Sequence, residues 1–233
     1  MPLVFNNRVL ALHVPKTGGN SLSVYLLQNL PRPIVYQSWH PRSEIDHGGV
    51  TFIQGNPHAS LREATTLTHN FGLDLSDFSV ILVVLRNPYE LEVSRYESFR
   101  QQAHDPALLT HDHELARTLD FPSYTKAFLA PNGVPRSRYL DQIVSIDGKI
   151  PANLKYIRYE HLVSETRMRL REAGIEADGD FPWLNPSKHA PAASYYTPRA
   201  EELVYQAHRW MFEQGLYERL PMGKRRKPPR VKN

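Results

Sequence analysis

The feature that most constrains this chain is a strand, a glycine loop and a helix in direct succession near its start. Arg8–His13 is a short apolar run that ends before Pro15, which predicts a buried strand. After the loop, Leu22–Leu30 carries leucines at helical spacing until Pro31 stops the helix. A glycine loop between a strand and a helix directs free amide groups and the positive end of the helix dipole at one place. The sequence therefore predicts an anion-binding site there.

The residues of this loop, Pro-Lys-Thr-Gly-Gly-Asn-Ser, supply groups that recognise an anion. Gly18 and Gly19 let the backbone curl closely around a phosphate. Lys16 adds a full positive charge, and the hydroxyls of Thr17 and Ser21 add donors. A glycine pair alone is more typical of a plain turn. The neighbouring lysine, threonine and serine make phosphate binding the preferred interpretation.

Strands and helices alternate along the rest of the chain. The strongest strand is 79–85, a continuous aliphatic run of the kind found in a central parallel strand. Asn87 and Pro88 then open a helix through about Arg100, because proline fits the first helical turn. Short helices are expected within 104–150. Further strands are predicted at 34–36, 50–53 and 154–158, and further helices at 58–69, 159–173 and 198–214. This alternation predicts an α/β fold with a P-loop-like parallel sheet flanked by helices on both faces.

The composition limits the domain organisation. A chain of 233 residues can bury enough surface to fold without a disulfide or a metal, and it has no cysteine. Its formal charge is +4, but residues 223–233 carry six lysines and arginines and no acid, which leaves −2 for residues 1–222. We expect one α/β domain over 1–222 and a basic, disordered tail over 223–233. The charge therefore indicates no specific nucleic-acid partner, although a non-catalytic protein that binds through this tail stays open.

No segment reaches the ~18 consecutive apolar residues of a membrane span. The amino terminus lacks the basic region and the apolar run of a signal peptide. The sequence therefore predicts a cytoplasmic protein without a membrane span. It does not indicate an oligomeric state.

The glycine loop departs from the loop of ATP- and GTP-dependent enzymes. A Walker A sequence runs G-x-x-x-x-G-K-[ST], whereas Lys16 precedes the glycines here. A P-loop kinase also needs an acid at the end of a core strand to hold Mg²⁺, and the strand 79–85 is followed by Arg86. Both departures favour chemistry without a metal. A P-loop kinase or another nucleotide-dependent phosphotransferase remains the alternative.

Two motifs resemble those of the sulfotransferases that use 3′-phosphoadenosine 5′-phosphosulfate (PAPS). Leu12–Leu22 (LHVPKTGGNSL) is similar to the family's 5′-phosphosulfate loop, and most similar to the carbohydrate branch that includes the heparan sulfate 2-O-sulfotransferases. Val84–Tyr96 (VLRNPYELEVSRY) resembles the 3′-phosphate motif, in which Arg86 and Ser94 fall at the phosphate-binding positions. Each motif alone is modest evidence, and the pair is specific.

Two later segments resemble the family more weakly. Tyr156–Leu162 is similar to its late strand-to-helix segment, and Asn185–Ser194 to the loop that closes over the nucleotide. Asn20 and Leu91 depart from the pattern, since threonine or serine and arginine are usual there. The resemblance implies that PAPS, the co-substrate, binds to Lys16, Thr17, Gly18, Gly19, Asn20, Ser21, Arg86, Ser94, Ser187 and Lys188.

The resemblance also implies the reaction, which is transfer of a sulfuryl group from PAPS to a hydroxyl of a carbohydrate or a glycosylated small molecule. Such a transfer requires removal of the hydroxyl proton and neutralisation of the leaving phosphate. Lys16 is implied as the catalytic partner of the bridging oxygen. His58 is the favoured base, because 52–61 resembles the family's Gly-His-x-Ser segment and a neutral imidazole suits proton removal. His47 and Glu63 are the alternatives.

Overall fold

The computed structural model describes residues 3–40, 48–101, 110–135, 143–184 and 189–221. These residues form a sheet of six strands in the order β4-β3-β1-β2-β5-β6. The strands are β1 (Leu3–Phe5), β2 (Val9–Leu12), β3 (Ile34–Ser38), β4 (Val50–Gln54), β5 (Val80–Leu85) and β6 (Leu154–Arg158). Each predicted strand lies within two residues of an observed one.

The helices of the described residues cover both faces of the sheet, which confirms the predicted α/β class. They are α1 (Gly19–Asn29), α2 (Leu61–His69), α3 (Pro88–Gln101), α4 (His111–Thr118), α5 (Phe121–Leu129), α6 (Leu162–Glu172), α7 (Pro198–Ala207) and α8 (Arg209–Glu213). The predicted last helix, 198–214, is divided into α7 and α8 at His208, whose backbone leaves the helical region with φ −112° and ψ 20°.

The sheet is mixed rather than wholly parallel, because β1 runs antiparallel to both of its neighbours. The other five strands share one direction. The side chain of Asn6 closes the tight turn from β1 to β2, since its Oδ1 accepts hydrogen bonds from the backbone amides of Arg8 (2.9 Å) and Val9 (2.8 Å). The sequence did not predict β1, because three residues are too few to show a periodicity.

Burial on both faces explains the unbroken apolar sequence of β5. Val80, Leu82 and Val84 pack against the side of the sheet that α1 and α6 cover. Ile81, Val83 and Leu85 pack against the side that α2 and α8 cover. A third apolar cluster joins α3, α4, α5 and α7 into a helical layer beside the sheet. The core therefore holds the ends of the strands in fixed positions.

The carboxyl ends of the five parallel strands lie along one edge, which we call the carboxyl edge. His13 follows β2, Trp39 follows β3 and Arg86 follows β5 at this edge. Tyr159 follows β6, and His58 lies four residues beyond β4. Ligands of α/β sheets bind in the crevice outside these ends. The chemistry-bearing residues of distant segments therefore meet at one place.

Candidate functional site

The glycine loop has an unusual backbone that opens the start of α1. Lys16 and Gly18 both have left-handed backbone angles, with φ 67° and 75°. The Thr17 hydroxyl donates a hydrogen bond to the Val14 carbonyl (2.8 Å), which ties the loop to itself. Gly18 is the residue before the first turn of α1, and no side chain caps that turn. The first amides of this 11-residue helix are thus available to an anion.

Arg86 is joined to this loop through Tyr159. The Arg86 guanidinium carbon lies 4.4 Å from the centroid of the Tyr159 ring. A Cβ atom added at Gly18 would lie 2.7 Å from the Cε2 atom of the same ring. Arg86 Nη1 also donates a hydrogen bond to the Lys16 carbonyl (3.2 Å). The ring, the guanidinium and the loop therefore form one packed unit.

Arg86 keeps an unused donor in this unit. The residue is only 6% exposed, and its Nε atom has no hydrogen-bond partner among the described residues. Its Nη2 atom lies 3.9 Å from Glu90 Oε2, too far for a close ion pair. A buried donor without a partner is costly unless a ligand satisfies it. The position of Arg86 thus fits an arriving anion.

The other predicted 3′-phosphate residues are placed less completely. Ser94 lies on α3 and is 1% exposed. Ser187 and Lys188 lie outside the described residues. His189 follows them directly, and its Nε2 atom lies 3.9 Å from the same Glu90 oxygen that faces Arg86. The described end of this loop therefore comes close to the Arg86 side of the site.

Lys16 lies in a positively charged environment. Burial lowers the pKa of its ammonium group, and the charges of Arg86 and Arg95 lower it further. Arg95 is itself paired with Glu92 (2.5 Å), which also bonds to His208 Nε2 (2.8 Å). A bound anion would offset this repulsion and favour the charged form of Lys16. The loop is thus electrostatically suited to a phosphate.

Asn20 and Ser21 complete the predicted loop residues, and both lie in the first turn of α1. The Ser21 hydroxyl accepts a hydrogen bond from the Leu184 amide (2.9 Å), which holds the segment before residues 185–188 against α1. A hydroxyl that accepts one bond still has its own hydrogen to donate. Ser21 can therefore donate to a ligand, whereas the Thr17 hydrogen is already used within the loop.

His58 lies against His13, the residue that follows β2 just before the glycine loop. Its ring centroid is 4.5 Å from that of His13 and 5.5 Å from that of Trp39. Burial is the main cause that lowers the pKa of His58 to about 4. Its Nδ1 atom is buried and has no hydrogen-bond partner among the described residues. The imidazole is thus uncharged at neutral pH and can accept a proton, but it is a weak base.

Of the two alternative bases, Glu63 and His47, the structure describes only Glu63. Glu63 Oε2 accepts hydrogen bonds from the amide (2.6 Å) and hydroxyl (2.9 Å) of Ser60, while the Ser60 hydroxyl accepts from the Glu63 amide (3.3 Å). This capping box starts α2 at Leu61, three residues later than the sequence predicted. The Glu63 carboxylate is therefore engaged in helix capping. His47 lies outside the described residues.

The lowered pKa of His58 predicts a pH-dependent stability. Between pH 6.5 and about 4, the unfolded imidazole takes up a proton that the folded one resists, so stability falls as the pH falls. The His58→Gln variant lacks this imidazole. Its free energy of unfolding should therefore fall by about 1–2 kcal/mol less than that of the wild type as the pH falls, a figure that allows for screening of the partly exposed ring. Urea unfolding at pH 4.5 and pH 7 measures this difference in the free energy of unfolding. His111→Gln, a substitution of an exposed histidine, is the control. An unchanged pH dependence in His58→Gln would contradict the buried, neutral state.

Sequence reasoning missed Tyr159 and Glu160 as site residues, although both fall within a motif that it noted. Glu160 accepts hydrogen bonds from the Asn87 amide (2.9 Å) and the Tyr217 hydroxyl (2.9 Å), so it fixes the start of α3 beside Arg86. Asn87 Oδ1 in turn accepts from the Tyr89 amide (3.0 Å). The available signal was their position directly after β6, at the carboxyl edge.

The described residues contain neither a cluster of metal ligands nor a membrane-spanning helix. Within those ranges, no group of three or more His, Asp or Glu side chains could hold a metal ion. No described helix is both long enough and apolar enough to cross a bilayer.

Comparison with known proteins gives a match at the level of the fold. No protein-family model matches the chain, and no curated protein matches its sequence. The structure is similar to the crystal structure of mouse sulfotransferase SULT7A1 complexed with PAP, with a TM-score of 0.52 and 15% sequence identity. The match covers 91% of this chain and 85% of that one. This chain therefore shares the α/β fold of a sulfotransferase.

Proposed function

We propose that this protein transfers a sulfuryl group from PAPS to a hydroxyl group of an acceptor. The observation that carries the proposal is the packed unit of the glycine loop, Tyr159 and Arg86. This unit fixes the loop amides and the Arg86 guanidinium relative to each other. PAPS has two anionic ends, the 5′-phosphosulfate and the 3′-phosphate, which these two groups would bind. A nucleoside triphosphate has no 3′-phosphate and would leave Arg86 unused. The fold shared with a PAP-bound sulfotransferase supports the same assignment.

The residues present fit PAPS in two observable ways. Arg86 Nε is a buried donor without a partner among the described residues, and Gly18 has no room for a Cβ atom beneath Tyr159. We assign the 5′ end to the loop and the 3′-phosphate to Arg86 and the later segments. The full set is Lys16, Thr17, Gly18, Gly19, Asn20 and Ser21 at the 5′ end, and Arg86, Ser94, Ser187 and Lys188 at the 3′ end.

When bound, PAPS supplies the sulfuryl group. The acceptor oxygen forms a bond to sulfur while the bond from sulfur to the 5′-phosphate oxygen breaks. The Lys16 ammonium neutralises the charge that develops on that phosphate oxygen. His58 accepts the hydroxyl proton, since its imidazole is uncharged at neutral pH. The products are a sulfate ester and adenosine 3′,5′-bisphosphate (PAP). Lys16 supplies, at the leaving phosphate, the positive charge that Mg²⁺ supplies in kinases.

Three finer assignments rest on the sequence. A carbohydrate acceptor is suggested by the motif resemblance alone. The cytoplasmic location and the separate basic tail of 223–233 also stay predictions.

Calorimetric titration of PAP distinguishes the proposed sulfuryl transfer from the alternative function, a nucleotide-dependent phosphotransferase. In buffer with EDTA we expect micromolar binding, about −8 kcal/mol. Adenosine 5′-monophosphate, which lacks only the 3′-phosphate, should bind at least roughly 10-fold more weakly because Arg86 gains no ligand. Tighter binding of Mg²⁺–ATP than of PAP would overturn sulfuryl transfer and support the kinase alternative.

A further inference from the structure

The residues that follow α8 pack against two of the apolar clusters. The Leu216 amide donates a hydrogen bond to the Met211 carbonyl (3.0 Å), which turns the chain back from α8. Leu216 and Tyr217 pack against the cluster on the α2 side of the sheet, and Leu220 packs against the cluster of the helical layer. Residues 216–220, which we call the strap, therefore join the sheet to the helical layer.

Tyr217 connects the strap to the end of β5 through Glu160. The Tyr217 hydroxyl donates a hydrogen bond to Glu160 Oε2 (2.9 Å), and Glu160 Oε1 accepts one from the Asn87 amide (2.9 Å). Burial raises the pKa of the Tyr217 hydroxyl, so it keeps its proton and remains a donor. Each carboxylate oxygen thus has its own partner, and one of these partners is the residue directly after Arg86.

Arg219 connects the strap to the first turn of α3 through Glu201. Arg219 Nε and Nη2 donate hydrogen bonds to the two oxygens of the Glu201 carboxylate (3.1 and 2.6 Å). The Tyr89 hydroxyl donates to Glu201 Oε1 (2.5 Å), and both Tyr89 and Glu201 are buried. A buried carboxylate is costly unless it is paired and hydrogen-bonded. The bidentate arginine therefore stabilises the position of Glu201 and of the tyrosine bound to it.

The two connections meet on the same piece of backbone. Asn87 and Tyr89 flank Pro88, the first residue of α3, and Asn87 Oδ1 accepts a hydrogen bond from the Tyr89 amide (3.0 Å). Arg86 directly precedes them, one residue after β5. A shift of residues 87–89 would therefore move the Arg86 backbone and the guanidinium that it carries.

The polar groups of the strap are engaged with carboxylates of the protein. Arg219 Nη2 bonds to Glu202 Oε2 (2.7 Å) as well as to Glu201, and the guanidinium carbon lies 4.0 Å from the centroid of the Tyr205 ring. The Tyr217 hydroxyl hydrogen is used by Glu160. An effect of these side chains on a nucleotide would therefore pass through Arg86.

We propose that Tyr217 and Arg219 are positioning residues for the 3′-phosphate of the nucleotide, because they hold residues 87–89, and with them Arg86, in place. The inference rests on the proposed assignment of the 3′-phosphate to Arg86. A binding group must be held to within about 0.5 Å of its productive position. Loss of either connection therefore weakens binding of a ligand with a 3′-phosphate. A ligand without one depends on the glycine loop and is little affected.

Two strap variants test this role by calorimetry in buffer with EDTA. Tyr217→Phe keeps the ring and removes one hydrogen bond, so it should weaken PAP binding roughly 5-fold. Arg219→Ala leaves Glu201 without its charged partner and should weaken PAP binding at least roughly 10-fold. The affinity for adenosine 5′-monophosphate should stay within about 2-fold in both variants. Arg219→Lys should recover part of the PAP affinity, since it keeps the charge but loses the bidentate fork.

A double-mutant cycle with Arg86→Ala separates positioning from a general loss of stability. In the Arg86→Ala background, Tyr217→Phe should cause no further loss of PAP affinity, because the group that it positions is absent. A loss that adds to that of Arg86→Ala would overturn the positioning role. Arg171→Ala is the matched control for Arg219→Ala. It breaks an exposed ion pair with Asp178 (2.7 Å) in the last turn of α6 and should leave PAP affinity unchanged.

The outcomes separate the two proposals. Unchanged PAP affinity in both strap variants, or equal losses for PAP and adenosine 5′-monophosphate, would overturn the positioning role while PAP binding by the wild type leaves the sulfuryl-transfer proposal intact. Failure of the wild type to bind PAP would overturn both. If Arg219→Ala does not fold, as judged by circular dichroism, Tyr217→Phe and the double-mutant cycle decide.

Discussion

Arg86→Ala should weaken PAP binding by roughly 100-fold, which corresponds to about 3 kcal/mol for loss of one partner of a buried charge pair. The affinity for adenosine 5′-monophosphate should change much less, because that ligand has no 3′-phosphate. Arg86 is 6% exposed and has a buried Nε donor without a partner among the described residues. Its expected contribution therefore belongs to the 3′-phosphate and not to general charge attraction.

Calorimetry with both nucleotides measures this difference directly. Arg209→Ala is the matched control, since Arg209 is exposed and, within the described part of the chain, its ion pair is with Glu213 on its own helix (2.6 Å). Arg86→Lys should recover part of the PAP affinity, because it keeps the charge but loses the planar fork and the stacking on Tyr159. Equal losses for PAP and adenosine 5′-monophosphate would instead make Arg86 a support of the glycine loop, through its bond to the Lys16 carbonyl.

Gly18→Ala should both destabilise the protein and weaken PAP binding. Its φ of 75° costs an alanine about 1 kcal/mol. The added methyl group would also lie 2.7 Å from the Tyr159 ring, and overpacking of this kind costs about 1–3 kcal/mol. Displacement of the ring would move the guanidinium that stacks on it, so we expect a loss of PAP affinity of at least roughly 10-fold.

Gly72→Ala is a matched control for the backbone. Gly72 has nearly the same angle, φ 70°, but a Cβ atom there would meet nothing within 4 Å. The Gly72→Ala variant should be destabilised only by the left-handed backbone angle that alanine must adopt, and it should keep full PAP affinity. Urea unfolding and calorimetry of both variants distinguish strain from collision. Equal effects of the two substitutions on PAP binding would show that Tyr159 does not link the loop to Arg86.

Local sequence predicted the parts of this fold that local physics determines. The strand at β5 was evident because both of its faces are buried, so nearly every residue is aliphatic. The glycine loop was evident because its lysine, glycines and serine fall within the six residues 16–21. In each case the deciding information lies within about ten residues of chain.

Contacts between distant segments could not be predicted in this way. Tyr159 reaches Gly18 and Arg86 only because β6 pairs with β5, and nothing in its own segment shows that. A cavity of about 230 Å³ beside the glycine loop is lined in part by Leu91, Ile143 and Met211, which come from three separate segments of the chain. The low pKa of His58 likewise arises from burial and not from its neighbours in sequence.

The antiparallel strand β1 has a consequence for the geometry of the carboxyl edge. β1 presents its amino end at the carboxyl edge, so it contributes no outgoing loop there and separates β2 from β3 by two strand spacings, about 10 Å. His13 follows β2 and His58 lies four residues beyond β4, and the two rings nevertheless contact each other, with 4.5 Å between their centroids. β1 thus acts as a spacer between β2, which leads into the glycine loop, and the strands that precede His58, the proposed proton acceptor.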